Sequence, residues 1–168
     1  MKEGRLSVNL LDKLFSKPTN LLYAPVPGKV IPLSQVPDTA IAKGLLGNGI
    51  AIEPTEGRIS SPCDATVDMI FETGHAVSLL ADFGAELLIH VGLETASLKG
   101  RHFTVRCLSG SRVKKGDTLI EFDLEAMKAE GFHTITPLLV HNSSNYGTFK
   151  TAVQKTVTSA DVVIELRK

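Results

Sequence analysis

Past Lys17 and Pro18 the chain alternates short apolar runs with Gly, Pro and Asp: LLYAPVPGKVIPL, GNGIAIEP, ISSPCDATVDMIF, HAVSLLADFGAELLIHVGL and KKGDTLIEFD. Apolar runs of roughly 4 to 8 residues, punctuated this often by turn formers, predict an all-β sandwich or barrel of mostly antiparallel strands. Helical patterning is confined to brief pieces near 38–46 and 124–130. Before this region Leu6, Leu10 and Leu14, with Leu11 and Phe15 beside them, fall at helical spacing. Residues 1–20 are therefore expected to form a flexible segment or short amphipathic helix, and 21–168 a single folded domain.

A faint internal repeat supports the β assignment. APVPGKVIPL at 24–33 aligns with SPCDATVDMI at 61–70 at an offset of 37, which superposes Val30 on Val67. A repeated strand motif predicts two related half-sheets wrapped face to face, leaving few exposed edges.

The most informative stretch is TGHAVSLLADFGAELLIHVGLET, residues 73–95. Two strand-like runs flank Ala81-Asp82-Phe83-Gly84, and Asp within the turn followed by Gly suits a type I hairpin turn with a bulge. Symmetry about residues 82 and 83 places His75 opposite His90, Thr73 opposite Gly92, Val77 opposite Leu88 and Phe71 opposite Glu94, all on one face. A bulge at Gly84 would shift that pairing by one residue. Directly opposed residues have Cβ atoms about 4.5–5.5 Å apart, so two imidazoles would share one small volume. Leu87, Ile89, Val91 and Leu93 take the opposite, core-facing side. Thr73 is positioned to hydrogen-bond one nitrogen of His75 and fix its tautomer. His75, His90 and Glu94 could also gather adventitious zinc, but their spacing carries no metal motif, and neither a native metal nor a cofactor is expected.

Charge narrows the function. Lys plus Arg and Asp plus Glu both number 18, so no basic excess exists to neutralise a phosphate backbone, and nucleic acid is not an expected ligand. Cys63 and Cys107 form no CxxC and read as reduced thiols. No apolar run approaches the ~20 residues of a membrane span, and MKEGRLSVNLLDKLF lacks the apolar core of an export signal. A cytoplasmic location is expected.

The runs GNGIAIEPTEG, FETGHA, ELLIHVGLET, LKGRHF and VKKGDTLIEFD, spaced in this order between Ala24 and Lys168, resemble enzyme IIA of the glucose type from the bacterial phosphoenolpyruvate-dependent sugar phosphotransferase system. The resemblance implies a β-sandwich phosphocarrier that takes a phosphoryl group from HPr onto His90 and passes it to an enzyme IIB. It implies that His75, oriented by Thr73, stabilises the phosphoryl group. It also implies an apolar docking patch of Ile41, Leu45, Leu46, Phe71 and Leu88, with contact to the membrane only through the IIBC permease. A regulatory variant of this reading has the phosphorylation state control binding to other proteins. Three departures stand out: Glu94 where the family usually carries Asp, Arg101-His102-Phe103 where a glycine-containing run is more usual, and Ala65 in place of a common turn glycine. His102, His133 and His141 are assigned surface or structural roles.

One motif competes. EAMK at 125–128 matches the surroundings of the lysine that carries biotin in carrier domains, and VKKGDTLIEFD precedes it much as in those domains. Carrier domains, however, hold their lysine in a tight hairpin turn. Here Asp123 is placed to cap a helix and Gly131 to end it, which puts Lys128 inside the helix.

Overall fold

The computed structural model describes residues 18–168, so the amphipathic pattern of residues 6–15 lies outside the described region. Fourteen strands follow in chain order: β1 (Asn20–Tyr23), β2 (Gly28–Pro32), β3 (Asn48–Pro54), β4 (Arg58–Ser60), β5 (Ala65–Ile70), β6 (Ala76–Ala81), β7 (Glu86–His90), β8 (Phe103–Val105), β9 (Arg112–Val113), β10 (Thr118–Phe122), β11 (Thr136–Val140), β12 (Thr148–Thr151), β13 (Thr156–Val157) and β14 (Val162–Arg167). An eight-stranded sheet has the order β13-β2-β3-β11-β7-β6-β5-β9, and two three-stranded sheets have the orders β1-β14-β12 and β4-β10-β8. Every pairing is antiparallel. The main core draws on all three sheets, through residues such as Leu22, Ile52, Ile59, Leu79, Leu87, Leu119, Leu138 and Ile164. This is the β-sandwich read from the apolar runs.

The repeat extends further than the sequence showed. Tyr23 N–H donates to the Pro62 carbonyl (2.9 Å), and Ser60 N–H donates to the Pro25 carbonyl (2.8 Å), a reciprocal pair related by the 37-residue offset. A second offset, the 44 residues from Val113 to Val157, completes the relation. Val67 exchanges hydrogen bonds with Ser111 and Gly110, as Val30 does with Lys155 and Gln154. The Asp117 carboxylate accepts from Lys114 N–H as the Asp161 carboxylate does from Thr158 N–H, both at 2.8 Å. Strands β4 and β10 then pair as β1 and β14 do, each ladder with one register shift. The 44-residue relation also left letters in common, Val113 with Val157, Asp117 with Asp161, Ile120 with Ile164 and Glu121 with Glu165, at the positions that hold the turn and the ladder.

Helix is as scarce as the patterning predicted. The helix near 38–46 is a single turn, Thr39–Ala42, with Asp38 Oδ1 accepting the Ile41 N–H at 3.0 Å. The other runs Leu124–Ala129, capped by Asp123 Oδ1 on Ala126 N–H (3.0 Å) and followed by Gly131 at φ 86°. Lys128 is exposed in its last turn, not in a hairpin, so EAMK here is an ordinary helical sequence. Past this helix, Glu130 accepts from Arg101 and pairs with His102 Nε2 at 2.7 Å, fastening the 99–102 loop to the helix end.

Leu138 is fully buried in β11, between β3 and β7, so Leu138→Ala should cost about 2–5 kcal/mol in urea-induced unfolding. Leu108, 74 % exposed, is a suitable contrast: Leu108→Ser should stay within about 0.5 kcal/mol of the parent.

Candidate active site

Strands β6 and β7 form the predicted hairpin in a different register. Ala76 pairs with His90, Ser78 with Leu88 and Leu80 with Glu86, so paired positions are displaced by one from the symmetric expectation. The cause is Gly84. Gly84 N–H donates to the Ala81 carbonyl at 2.8 Å, Gly84 sits at φ 98°, and the Ala81–Ala85 hydrogen bond closes a three-residue loop. A two-residue loop would have centred the pairing as expected; the glycine bulge adds one residue to it. Val77 accordingly turns into the core with Leu79 and Ala81, and the outer face carries Ala76, Ser78, Leu80, Leu88 and His90.

The strand also starts later than expected. Residues 71–75 form a turn: Gly74 N–H donates to the Phe71 carbonyl (2.7 Å) and Phe71 N–H to the Ala76 carbonyl (3.0 Å), reversing β5 into β6, and the His75 carbonyl alone still reaches β7, accepting from Val91 N–H (2.8 Å). Thr73 and Phe71 therefore do not oppose Gly92 and Glu94. The reversal nonetheless brings His75 against His90. Their ring centroids lie 4.9 Å apart at 75°, and the Phe71 ring meets His75 edge-on at 5.5 Å. His75 is only 6 % exposed, deeper than a strand residue facing solvent would be, whereas His90 is half-buried.

Each imidazole has one nitrogen committed. Nδ1 of His90 is 2.6 Å from the Gly92 carbonyl oxygen. A carbonyl only accepts, so Nδ1 carries the hydrogen and the Nε2 lone pair is left free. Gly92 makes this possible by sitting at φ 73°, where an added Cβ would come within 2.7 Å of both the His133 carbonyl and the Thr95 side chain. The β7–β11 ladder also stops here. Its last pair is Leu138 with Ile89, and the next step of the register sets Pro137, which has no N–H to donate, beside His90. Thr73 Oγ1 is hydrogen-bonded to Nδ1 of His75.

Electrostatics keep both rings neutral near pH 7. Burial, and then the neighbouring His90, pull the His75 pKa below 6.5. Burial also lowers that of His90, partly opposed by the Gly92 carbonyl and the Asp38 carboxylate. Asp38 was not singled out from the sequence; its signal was only that of a helix cap in DTAIA, yet its charge is felt at His90. Glu94 is exposed at φ 57° and heads the turn Thr95–Leu98. It does not join the two imidazoles: no group of three His, Cys, Asp or Glu side chains arranged for a metal occurs among the described residues.

Of the five residues read as a docking patch, Leu45 and Leu46 are 70 % and 41 % exposed, and Phe71 and Leu88 are half-buried beside the histidines. Ile41 is 6 % exposed and packs with Leu33, Val36, Leu93 and Leu139 in a second, smaller core under the short helix.

This site lies on a chain whose residues 20–146 match the family model described as phosphoenolpyruvate-dependent sugar phosphotransferase system, EIIA 1; the chain belongs to that family and is a phosphotransferase component. It is 43 % identical over 147 residues to the PTS system beta-glucoside-specific EIIBCA component of Halalkalibacterium halodurans, with 88 % of this chain and 23 % of that protein aligned. The component of the same name from Bacillus subtilis is 44 % identical over 75 % of this chain and 21 % of its own length, and that from Dickeya chrysanthemi is 46 % identical over 74 % and 20 %. The chain thus spans less than a quarter of these curated relatives. The glucose permease IIA from Mycoplasma capricolum superposes with a TM-score of 0.82 at 28 % identity, covering 88 % of this chain and 96 % of that one. No helix among the described residues is long and apolar enough to cross a membrane.

In an NMR titration both imidazoles should titrate below 6.5, and Asp38→Asn should lower the His90 midpoint further. Because the folded pKa values lie below that of the unfolded chain, unfolded protein binds more protons between the two. Stability contributed by the neutral pair is therefore complete above pH 6.5 and declines as the pH falls through the folded midpoints. Chemical unfolding of His75→Gln should show a shallower acid decline than the parent.

Proposed function

We propose that His90 is the phosphoryl acceptor of this EIIA domain, taking the group from phospho-HPr and passing it to an enzyme IIB. The observation that carries this is the Nδ1–H hydrogen bond to the Gly92 carbonyl, which leaves Nε2 as the nucleophile. Nε2 attacks phosphorus, a new N–P bond forms as the donor's N–P bond breaks, and the donor histidine recovers its lone pair. Nδ1 keeps its hydrogen throughout, so no proton must leave His90 for the imidazole to become phosphorylated. His75 is assigned the Nε2–H tautomer, with the Thr73 hydroxyl donating to its Nδ1, so that Nε2–H meets the charge on the transferring oxygens.

Identities of 43–46 % to beta-glucoside-specific components support an acceptor IIB of that type. Shallow apolar surface around His90, rather than a deep pocket, suits a histidine that must meet two proteins in turn.

Reconstitution with phosphoenolpyruvate, enzyme I, HPr and an isolated beta-glucoside-type IIB domain tests the reading. His90→Gln should lose all acid-labile phosphate, and labelling that persists in this variant overturns the assignment. His75→Gln should still be phosphorylated at His90, while donation to IIB slows by about 10²–10³, the usual loss for one donor to developing charge.

A further inference from the structure

The run between β7 and β8 leads from His90 to the turn that carries His75. Along it Glu94, Lys99 and His102 stand at φ 57°, 52° and 73°, with Gly100 at 90°. Left-handed backbone is free to glycine but strains a residue that carries a Cβ. His102 is held there from both ends of the helix Leu124–Ala129. Before the helix, Asp123 N–H donates to the His102 carbonyl at 2.9 Å. Past it, Glu130 pairs with His102 Nε2 at 2.7 Å and accepts from Nη1 and Nη2 of Arg101 at 2.8 and 3.1 Å.

The backbone held in this way covers the His75 turn. Gly100 lies against the Thr73 carbonyl, 3.8 Å from where a Cβ would stand. On Gly74, buried and at φ 70°, a Cβ would meet Val105 Cγ2 at 3.0 Å and Phe103 Cβ at 3.6 Å. Residues 100, 103 and 105 thus enclose Thr73 and Gly74, and Thr73 is hydrogen-bonded to Nδ1 of His75. Strand β8 is an edge strand of three residues, paired with β10 alone through Phe103–Phe122, Thr104–Glu121 and Val105–Ile120. Its outgoing end is tied by Arg106 to Glu121 at 2.8 Å, and its incoming end by His102.

Resting on the assignment of His75 to the transferring phosphoryl group, we propose that His102 is a positioning residue for His75. Paired with Glu130, its side chain keeps residue 102 in the left-handed conformation that sets Gly100, Phe103 and Val105 over Thr73 and Gly74. His102 acts through Thr73, whose hydrogen bond fixes the His75 tautomer, and through the packing that keeps that turn enclosed. Glycine at 102 reaches the same backbone without the pair, whereas alanine has neither the freedom nor the anchor.

The test compares His102→Ala, Glu130→Ala and His102→Gly in the full chain. The two alanine variants should donate to a beta-glucoside-type IIB about tenfold more slowly than the parent, a smaller loss than removing His75 itself. Acceptance from phospho-HPr should stay within about twofold in all three, which reports that the fold is kept. His102→Gly, alone or combined with Glu130→Ala, should donate within about twofold of the parent. NMR titration of the unphosphorylated chains gives a second readout. Burial is what lowers the His75 pKa, so its midpoint should rise towards 6.5 in the alanine variants and hold at the parent's value in His102→Gly, which removes the same imidazole. Glu130→Ala leaves residue 102 unaltered and makes the same comparison if alanine at 102 does not fold. An unchanged donation rate and His75 midpoint, with only stability in urea reduced, make the pair a clasp of the fold and overturn the proposal. Equal losses in His102→Gly and His102→Ala overturn it too, since the imidazole and not the backbone would then matter. A parent chain that never takes up phosphate overturns the phosphocarrier reading instead, and the NMR midpoints then still decide whether His102 positions His75.

Discussion

The short hydrogen bond from His90 Nδ1 to the Gly92 carbonyl, 2.6 Å long, is the constraint on which the site depends. It selects one of two nearly isoenergetic imidazole tautomers and so decides which nitrogen has a lone pair. Much of the local structure serves it. Gly92 must reach a positive φ to turn its carbonyl back towards the ring, and the space a side chain would need is filled by the His133 carbonyl and Thr95. Thr95 is wholly buried with its hydroxyl donating to the Val91 carbonyl at 2.5 Å, and Leu93 N–H donates to the His133 carbonyl at 3.0 Å. These contacts hold 91–95 against the 133 region, leaving the turn little room to relax.

Neutrality is the second requirement, and burial supplies it. A protonated pair of imidazoles with centroids 4.9 Å apart would repel, and neither would be nucleophilic. Enclosing His75 beneath Phe71 disfavours its charged form, while the half-exposed His90 keeps access to a partner. Asp38 works against this depression at His90. One side chain thus serves both the helix cap and the ring.

Much of this was legible in the sequence, and the failures have definite causes. Alternation in ELLIH and AVSLL defines both strands, and the split into a core face of Leu87 and Ile89 and an outer face of Leu88 and His90 follows from period two alone. Register did not follow, because it turns on whether Gly84 takes a positive φ and adds a residue to the loop, a choice of backbone conformation that the letters ADFG leave open. Convergence of the two histidines survived the wrong register because His75 lies past the end of β6, in the 71–75 turn, with its carbonyl still held by Val91 N–H beside His90. Ile41 was placed in the surface patch by resemblance, together with Leu45 and Leu46. A single-turn helix buries one position and exposes the turn that follows, and nothing in the spacing says which. The exposure of Met69 was invisible for a related reason, since it reaches the outer face only through a register shift in β5.

The tautomer of His90 can be read directly by NMR of the chain labelled with 15N at histidine, before and after phosphorylation by phospho-HPr. The account predicts a protonated, pyrrole-like Nδ1 and a lone-pair-bearing Nε2 in the free protein, and a 31P–15N coupling that appears at Nε2 once the group is transferred. A hydrogen on Nε2 in the free state, or phosphorus coupled to Nδ1, would contradict it.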